Sequence, residues 1–390
     1  MDFTLSEDQQ MIADSARKVG ERFGLDYWRD RDARKAFPAE FWQAVCAAGL
    51  CGVALPEKYG GADLGMIEMA VIVEQLAAAG GGATVGQLFM LNPIFGGVAI
   101  SRFGSAAMKE ELLPKIVAGE INCCMALTEP DAGSNSLAIK SFAERSGNGW
   151  RLNGRKIWIT AVDAAQKMLV VARTTKLERV ERRTQGLSMF MIDVARDGLT
   201  YAPIDKLGTN TLSSCNVYFD GVQVDGSELV GTLDNGWPEL LDVLNTERVV
   251  TTAGLVGAAQ LAIRLAVDYA KGRRVFGDRP IASYQGLQFP LAQHWAEIEC
   301  ARLMNHKAAA LFDRGQPYGT EANLAKLIAS QAASAAIEQA MQAMGGMGFA
   351  KDMHLERLWR DARLFRFAPV SEEMILNFIA SQNLGMPRSY

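Results

Sequence analysis

From Ser6 to about Gly119 the apolar positions recur at helical spacing. The run opens on Ser6-Glu7-Asp8-Gln9, a capping-box arrangement, and is broken at Phe37-Pro38, Leu55-Pro56 and Tyr59-Gly60-Gly61. Several packed helices are predicted there. Near Ile121 the period changes to two: apolar and polar residues alternate through residues 138–143 and 150–160 around Ser146-Gly147-Asn148-Gly149, which predicts a hairpin. Strand-like runs at 168–172, 187–194 and 216–219 continue to about Val230 and predict a compact sheet or barrel. Past Trp237 helical spacing returns. Long segments near 237–272, 282–314, 320–344 and 371–383 predict a four-helix bundle, with Pro290 kinking the second helix. Ala253-Gly254 and Gly257-Ala258-Ala259 are small enough for neighbouring helices to approach closely. The expected organisation is an N-terminal helical domain (1–120), a middle β-barrel-like domain (121–232) and a C-terminal helical bundle (233–390).

Length and composition agree with that division. A chain of 390 residues suggests two or three domains at roughly 150 residues each. With 49% apolar and 22% charged residues it is neither disordered nor collagenous. Forty basic against 44 acidic residues give a net charge of −4, and no basic block offers itself to a phosphate backbone, so nucleic acid is not an expected partner. Six cysteines in a long chain without a secretory signal read as reduced thiols, and the acidic, helix-like opening is unlike an Arg-rich leader. The expected compartment is the cytoplasm. Charge or glycine is expected to cut every apolar window before ~18 residues, so no membrane insertion is expected.

Common catalytic signatures are missing: there is no Walker A loop, no G-x-S-x-G elbow and no G-x-G-x-x-G after a strand. The three histidines, His294, His306 and His354, have no metal-ligand spacing, so no metal is expected. The informative stretch is Ala126-Leu127-Thr128-Glu129-Pro130-Asp131-Ala132-Gly133-Ser134-Asn135, followed after the hairpin by Gly154-Arg155-Lys156-Ile157-Trp158-Ile159-Thr160. The first piece is a strand entering a glycine-containing loop whose N–H groups and hydroxyls suit a phosphate or a polar heteroaromatic rim. The second is a strand ending in an indole and a hydroxyl.

Together these segments resemble the acyl-CoA dehydrogenase family. The likeness extends to Met1-Asp2-Phe3, Leu55-Pro56-Glu57-Lys58-Tyr59-Gly60-Gly61, Arg273-Arg274-Val275-Phe276-Gly277, Gln342-Ala343-Met344-Gly345-Gly346-Met347-Gly348-Phe349 and Arg360-Asp361-Ala362-Arg363. The resemblance implies FAD as cofactor. Thr128 would bond the pyrimidine edge of the isoalloxazine with Leu127 nearby, Gly133 and Ser134 would face the pyrophosphate, Trp158 would cover the ring and Thr160 would bond near N5. Arg273, Phe276, Gln342, Gly345 and Gly346 would complete the distant half of a neighbouring subunit's FAD, which calls for a homo-oligomer, a dimer of dimers. Phe276 as plain core, and Gly345 and Gly346 as a plain helix end, are the structural alternatives.

The family's reaction needs a carboxylate beside the thioester α-carbon. Many members place it shortly after the R-D-x-R run, where this chain has Pro369, which offers neither a base nor an N–H. Some relatives carry the glutamate on the first long C-terminal helix, and there Glu247 aligns, sharing a face with Leu244. An exposed glutamate or a structural ion pair beside Arg248 is the alternative. The N–H of Val370 is a candidate replacement for the lost donor. Ser371 and Glu373 align with adenosine-side contacts. Asn135 stands where relatives often have aspartate, and residues 209–214 lack their usual pattern. The implied activity is FAD-dependent desaturation of a saturated acyl-CoA to its trans-2-enoyl-CoA in fatty-acyl metabolism, with an electron-transfer flavoprotein as acceptor. Rival readings on the same fold are an oxygenase, a desulfinase and a non-catalytic, DNA-protecting flavoprotein.

Overall fold

In the computed structural model, which describes residues 4–387, helices fill the first third of the chain. They are α1 (Glu7–Glu21), α2 (Leu25–Arg34), α3 (Ala39–Ala47), α4 (Met66–Leu76), α5 (Ala83–Phe89), α6 (Ala99–Phe103) and α7 (Ala106–Val117). The segment Met1-Asp2-Phe3 lies outside the described residues. Ser6 caps α1 reciprocally: its Oγ accepts from Gln9 N at 3.2 Å and its own N–H donates to Gln9 Oε1 at 3.0 Å. A wider helical turn over Met90–Val98 joins α5 to α6, so Ala83–Phe103 is one helical run. This corrects the expectation that no apolar stretch approaches spanning length. Ala83–Phe103 and Gly236–Gly272 are both long and apolar enough, because glycine interrupts sequence without lowering mean hydropathy much. Their apolar windows are 100% and 83% buried inside the protein, as expected of core helices that are apolar all round.

The middle of the chain forms eight strands: β1 (Cys123–Ala126), β2 (Phe142–Ser146), β3 (Gly149–Thr160), β4 (Lys167–Arg173), β5 (Leu187–Asp193), β6 (Leu199–Pro203), β7 (Ser214–Val224) and β8 (Leu229–Val230). Their order is β6-β7-β3-β2-β4-β5-β8, with β1 parallel to β4; the path has two ends and is a sheet, not a closed barrel. The predicted hairpin is β2–β3, turning at Gly147 with φ of 57°, a conformation that favours glycine in a two-residue turn. Its first arm begins later than the alternation suggests, at Phe142, because Ser136–Ala138 coil into a single helical turn. Strand β6 pairs with β7 and has no counterpart in the sequence reading; with four of its five residues exposed it shows little alternation.

Three long helices organise the last third: α8 (Gly236–Gly272), α9 (Gln285–Asp313) and α10 (Gly319–Met344), followed by short α11 (Leu355–Leu364) and α12 (Glu372–Phe378). The bundle therefore has three long members. Helix α9 runs through Pro290, and the expected segment 371–383 is α12 plus a wider turn over Ile379–Asn383. Helix α11 has no counterpart in the sequence reading. The middle of helix α8, from Val249 to Ile263, is almost wholly buried, and its small residues permit that. A Cβ on Gly254 would sit 2.9 Å from Gly86 N, and one on Gly257 would sit 2.4 Å from Glu74 O. The N-terminus of α8 starts against β5, where a Cβ on Gly236 would lie 3.2 Å from Leu187 O.

Candidate active site

Strand β1 ends at Ala126, and the loop beyond it is joined to β3 by Ile157 N donating to Thr128 O at 2.9 Å. Lys156, with no exposed surface, donates from Nζ to Leu127 O at 2.8 Å and to Glu129 Oε1 at 2.9 Å. Glu129 also accepts from Lys140 N at 2.6 Å and Ser141 N at 2.9 Å. Burial would raise its pKa, but Lys156 and the Ser141 and Lys140 donors outweigh burial and hold it below the ordinary carboxylate value. This satisfied buried pair fixes the loop's shape.

The register of β3 against β7 shifts between Lys156 and Ile159, and within that bulge Trp158 takes φ of 63°. Positive φ at a bulky residue is an outlier that points to a functional constraint. The result is an indole 53% exposed while Ile159 packs inward. Leu127 is buried, Thr128 and Thr160 are half-buried, and Gly133 and Ser134 are exposed. Among the described residues the side chains of Thr128, Ser134, Trp158 and Thr160 have no hydrogen-bond partner. A Cβ on Gly133 would meet nothing within 4 Å. Free hydroxyls beside an exposed ring, backed by a rigid strand and an open glycine, fit a planar cofactor with a polar rim.

Glu247 lies on α8 and is 3% exposed, with no hydrogen bond or ion pair to its carboxylate among the described residues. Burial pushes its pKa up to about 8, against the pull of Arg248 and Lys326. Both structural alternatives read from the sequence fail. The residue is not exposed, and Arg248 Nη1 turns instead to Leu244 O at 3.1 Å and Asn245 Oδ1 at 2.5 Å.

Lys326 on α10, also without exposed surface, donates to Phe365 O at 2.7 Å and Val370 O at 2.6 Å. It therefore clasps the turn between α11 and α12 that contains Pro369. Among the described residues the Val370 N–H has no acceptor. Glu372 is buried, and Arg366, Gln331 and Ser330 outweigh that burial to keep it ionised. Glu373 is exposed. Ser371 caps α12, its Oγ accepting from Met374 N at 3.3 Å.

The strand end and this turn are mechanically connected. Thr160 pairs with Ser214 on β7, and the preceding loop is tied to α11 where Thr209 N donates to Asp361 Oδ1 at 2.5 Å. Lys206 Nζ braces the loop from within, on Gly208 O and Thr209 O.

The second expected group sits elsewhere. Arg273 follows Glu247 by 26 residues of helix, about 39 Å at ~1.5 Å per residue. Phe276, at the tip of the short pair Arg274–Val275 and Arg279–Pro280, is 95% exposed, so it is not core. Gly345 ends α10 with φ of 59°, as the structural alternative held. A Cβ added to Gly345 or Gly346 would nevertheless meet nothing within 4 Å, and Gln342 is exposed. One chain therefore brings Leu127, Thr128, Trp158 and Thr160 together, sets Arg273 far along α8 from Glu247, and leaves Phe276, Gln342, Gly345 and Gly346 on exposed surface.

Acyl-CoA dehydrogenase N-terminal, middle and C-terminal domain families match residues 6–120, 124–222 and 234–384. The acyl-CoA dehydrogenase FadE12 of Mycobacterium tuberculosis (strain H37Rv) is 38% identical over 100% of this chain and 99% of its own length. The chain belongs to the acyl-CoA dehydrogenase family. The bovine mitochondrial short-chain specific acyl-CoA dehydrogenase is 32% identical, over 99% of this chain and 92% of its own. A solved glutaryl-coenzyme A dehydrogenase in complex with glutaryl-CoA superposes with a TM-score of 0.95 at 29% identity, over 100% of this chain and 98% of that one. For an acyl-CoA dehydrogenase fold, three residues that sequence reading passes over organise the site: Glu129, Lys156 and Lys326. Glu129 and Lys156 lie inside the motif segments, but their pairing depends on sheet geometry. Lys326 sits in an alanine-rich helix with no motif to mark it.

Proposed function

We propose that this enzyme is an FAD-dependent acyl-CoA dehydrogenase whose base is Glu247, forming a trans-2-enoyl-CoA from a saturated acyl-CoA. The observation that carries the reading is the buried, donor-free Glu247 carboxylate, in a chain that bears proline where many relatives bear their base. FAD, when bound, supplies the two-electron acceptor for the β-hydrogen leaving as hydride. Leu127, Thr128 and Thr160 would hold its ring edge, Trp158 would cover it, and Gly133 and Ser134 would face its pyrophosphate. Arg273, Phe276, Gln342, Gly345 and Gly346 would serve the FAD of a neighbouring protomer in a dimer of dimers, which accounts for their exposure and for the distance of Arg273 from Glu247.

Glu247 takes the α-proton at a carboxylate oxygen. Ionisation is costly in its dry surroundings, so the proton is readily accepted once charge develops at the α-carbon. The Val370 N–H replaces the donor lost at Pro369 and bonds the thioester oxygen, a contact of a kind that typically contributes ~3 kcal/mol. Ser371 and Glu373 would lie toward the adenosine side, and an electron-transfer flavoprotein in the cytoplasm would accept the electrons. The test is anaerobic titration of the purified holoenzyme with a panel of acyl-CoAs. Wild type loses its flavin absorbance with one chain class, and Glu247→Gln keeps it with every chain. Bleaching of Glu247→Gln at the wild-type rate would sink the assignment.

A further inference from the structure

Lys326 is buried completely, yet it belongs to no motif segment. Its ammonium spends two hydrogen bonds on backbone carbonyls, Phe365 O at 2.7 Å and Val370 O at 2.6 Å, the two ends of the turn that carries Pro369. A side chain meant only to fill space would not be a lysine, because burying an ammonium is costly until partners offset it. The carbonyls it pins are specific. Val370 O and the Val370 N–H, which has no acceptor among the described residues, flank the same Cα, so holding Phe365 O and Val370 O fixes both ends of the segment that presents this donor.

The same ammonium acts electrostatically on Glu247, one helix away. The charged groups acting on Glu247 are Arg248 on its own helix and Lys326 from α10. Those acting on Lys326 are Glu372 on α12, Arg248 and Glu247 on α8, and Arg366 in the turn. Burial lowers the Lys326 pKa to about 8, and Glu372 is the largest influence opposing that fall.

We propose that Lys326 is the positioning residue of the reaction centre, holding the turn that presents the Val370 N–H and serving as the cation that acts on Glu247 from α10. The inference rests on Glu247 being the base. It gives one side chain two duties in the reaction: the donor proposed for the thioester oxygen and the carboxylate proposed for the α-proton are both influenced by one ammonium. Removing a nearby cation raises a carboxylate pKa, so the acid limb of the rate profile moves to higher pH when Lys326 is neutralised.

The experiment compares wild-type holoenzyme with Lys326→Met, Lys326→Gln, Lys326→Arg and Glu247→Gln. Stopped-flow flavin bleaching is followed against pH, and the carboxyl infrared band that Glu247→Gln removes is titrated separately, without substrate. Lys326→Met is expected to shift both the rate limb and the infrared titration upward by about one pH unit and to slow bleaching about tenfold at neutral pH. Lys326→Gln keeps a donor for the turn but not the charge, and carries the same shift should the methionine variant misfold. Lys326→Arg, which keeps the charge, returns both titrations to near wild type.

If Glu247→Gln is inactive while neutral Lys326 variants lose thermal stability with neither titration moved, Lys326 is a structural strut and the inference fails with the base assignment intact. If Glu247→Gln retains full activity, the base assignment itself falls.

Discussion

Glu129 and Glu247 are both buried glutamates, and the fold treats them in opposite ways. Glu129 receives Lys156 Nζ and two backbone N–H groups, and its pKa is lowered despite burial. Glu247 receives no hydrogen bond among the described residues, and its pKa rises to about 8. Both are nearly closed to solvent, at 7% and 3% exposure, yet burial weighs more heavily on Glu247, which lies deeper. The protein widens that difference by supplying donors to one and not to the other. A satisfied carboxylate is a fixed structural anion, whereas an unsatisfied one stores a readiness to take a proton, the property a general base needs.

The contrast is broken most severely by exchanging each carboxylate for its amide. Glu247→Gln should lower acyl-CoA-driven flavin reduction by a factor on the order of 10³ or more while leaving flavin content near wild type, as stopped-flow and absorbance measurements would register. Glu129→Gln should do the reverse, sparing the intrinsic proton-transfer step in whatever enzyme still folds but destabilising the β-sheet part.

Next in size is Lys156→Met, which strands a buried carboxylate and should cost about 3–5 kcal/mol in denaturant unfolding. A double change that also makes Glu129 apolar should recover part of that loss. If Lys156→Met were as stable as wild type, the pair would not be the anchor that the geometry indicates.

The subtlest test is pH. Glu129 has a depressed pKa, so its stabilisation is present above its ordinary value of 4.5 and is lost as pH falls through its folded-state value. Glu247 has a raised pKa: the folded protein keeps the proton that the unfolded chain gives up above 4.5. Its contribution therefore falls as pH rises from there to about 8, then levels off. The melting temperature of Glu247→Gln relative to wild type should climb across that interval, and that of Glu129→Gln should approach wild type at acid pH. A Glu247→Gln difference that stays flat from pH 5 to pH 8 would mean the carboxyl is not desolvated as described.

Much of this is legible in the chain because local rules and global fold agree. The Ser6 cap, the Gly147 turn and the close contacts of Gly254 and Gly257 follow from residue chemistry at fixed spacing. Glu247 can be singled out because proline at position 369 removes the usual alternative. What escapes a reading of the sequence is of two kinds. Strand β6 and helix α11 are hidden because their own patterning is misleading: β6 is mostly exposed, and α11 buries Arg357 and Asp361, charges that periodicity counts as polar. Glu129, Lys156 and Lys326 are hidden because a lysine's partner is set by tertiary geometry. Lys326 meets carbonyls 39 and 44 positions onward, at the far side of two turns.

The extra residue in β3 has a consequence for how this fold can change. Strand parity is all-or-none: counting outward from buried Lys156 in strict alternation, the indole of Trp158 would point inward and Ile159 outward. The bulge reverses that assignment for both at once. Straightening the strand without shortening it would force a large ring into the interior, bring an aliphatic side chain to the surface and leave the outer face blank. The irregularity is thus what puts an aromatic face on the outside of an otherwise ordinary strand, and on the proposed role of Trp158 any descendant that irons it out would give up its grip on a flat ligand.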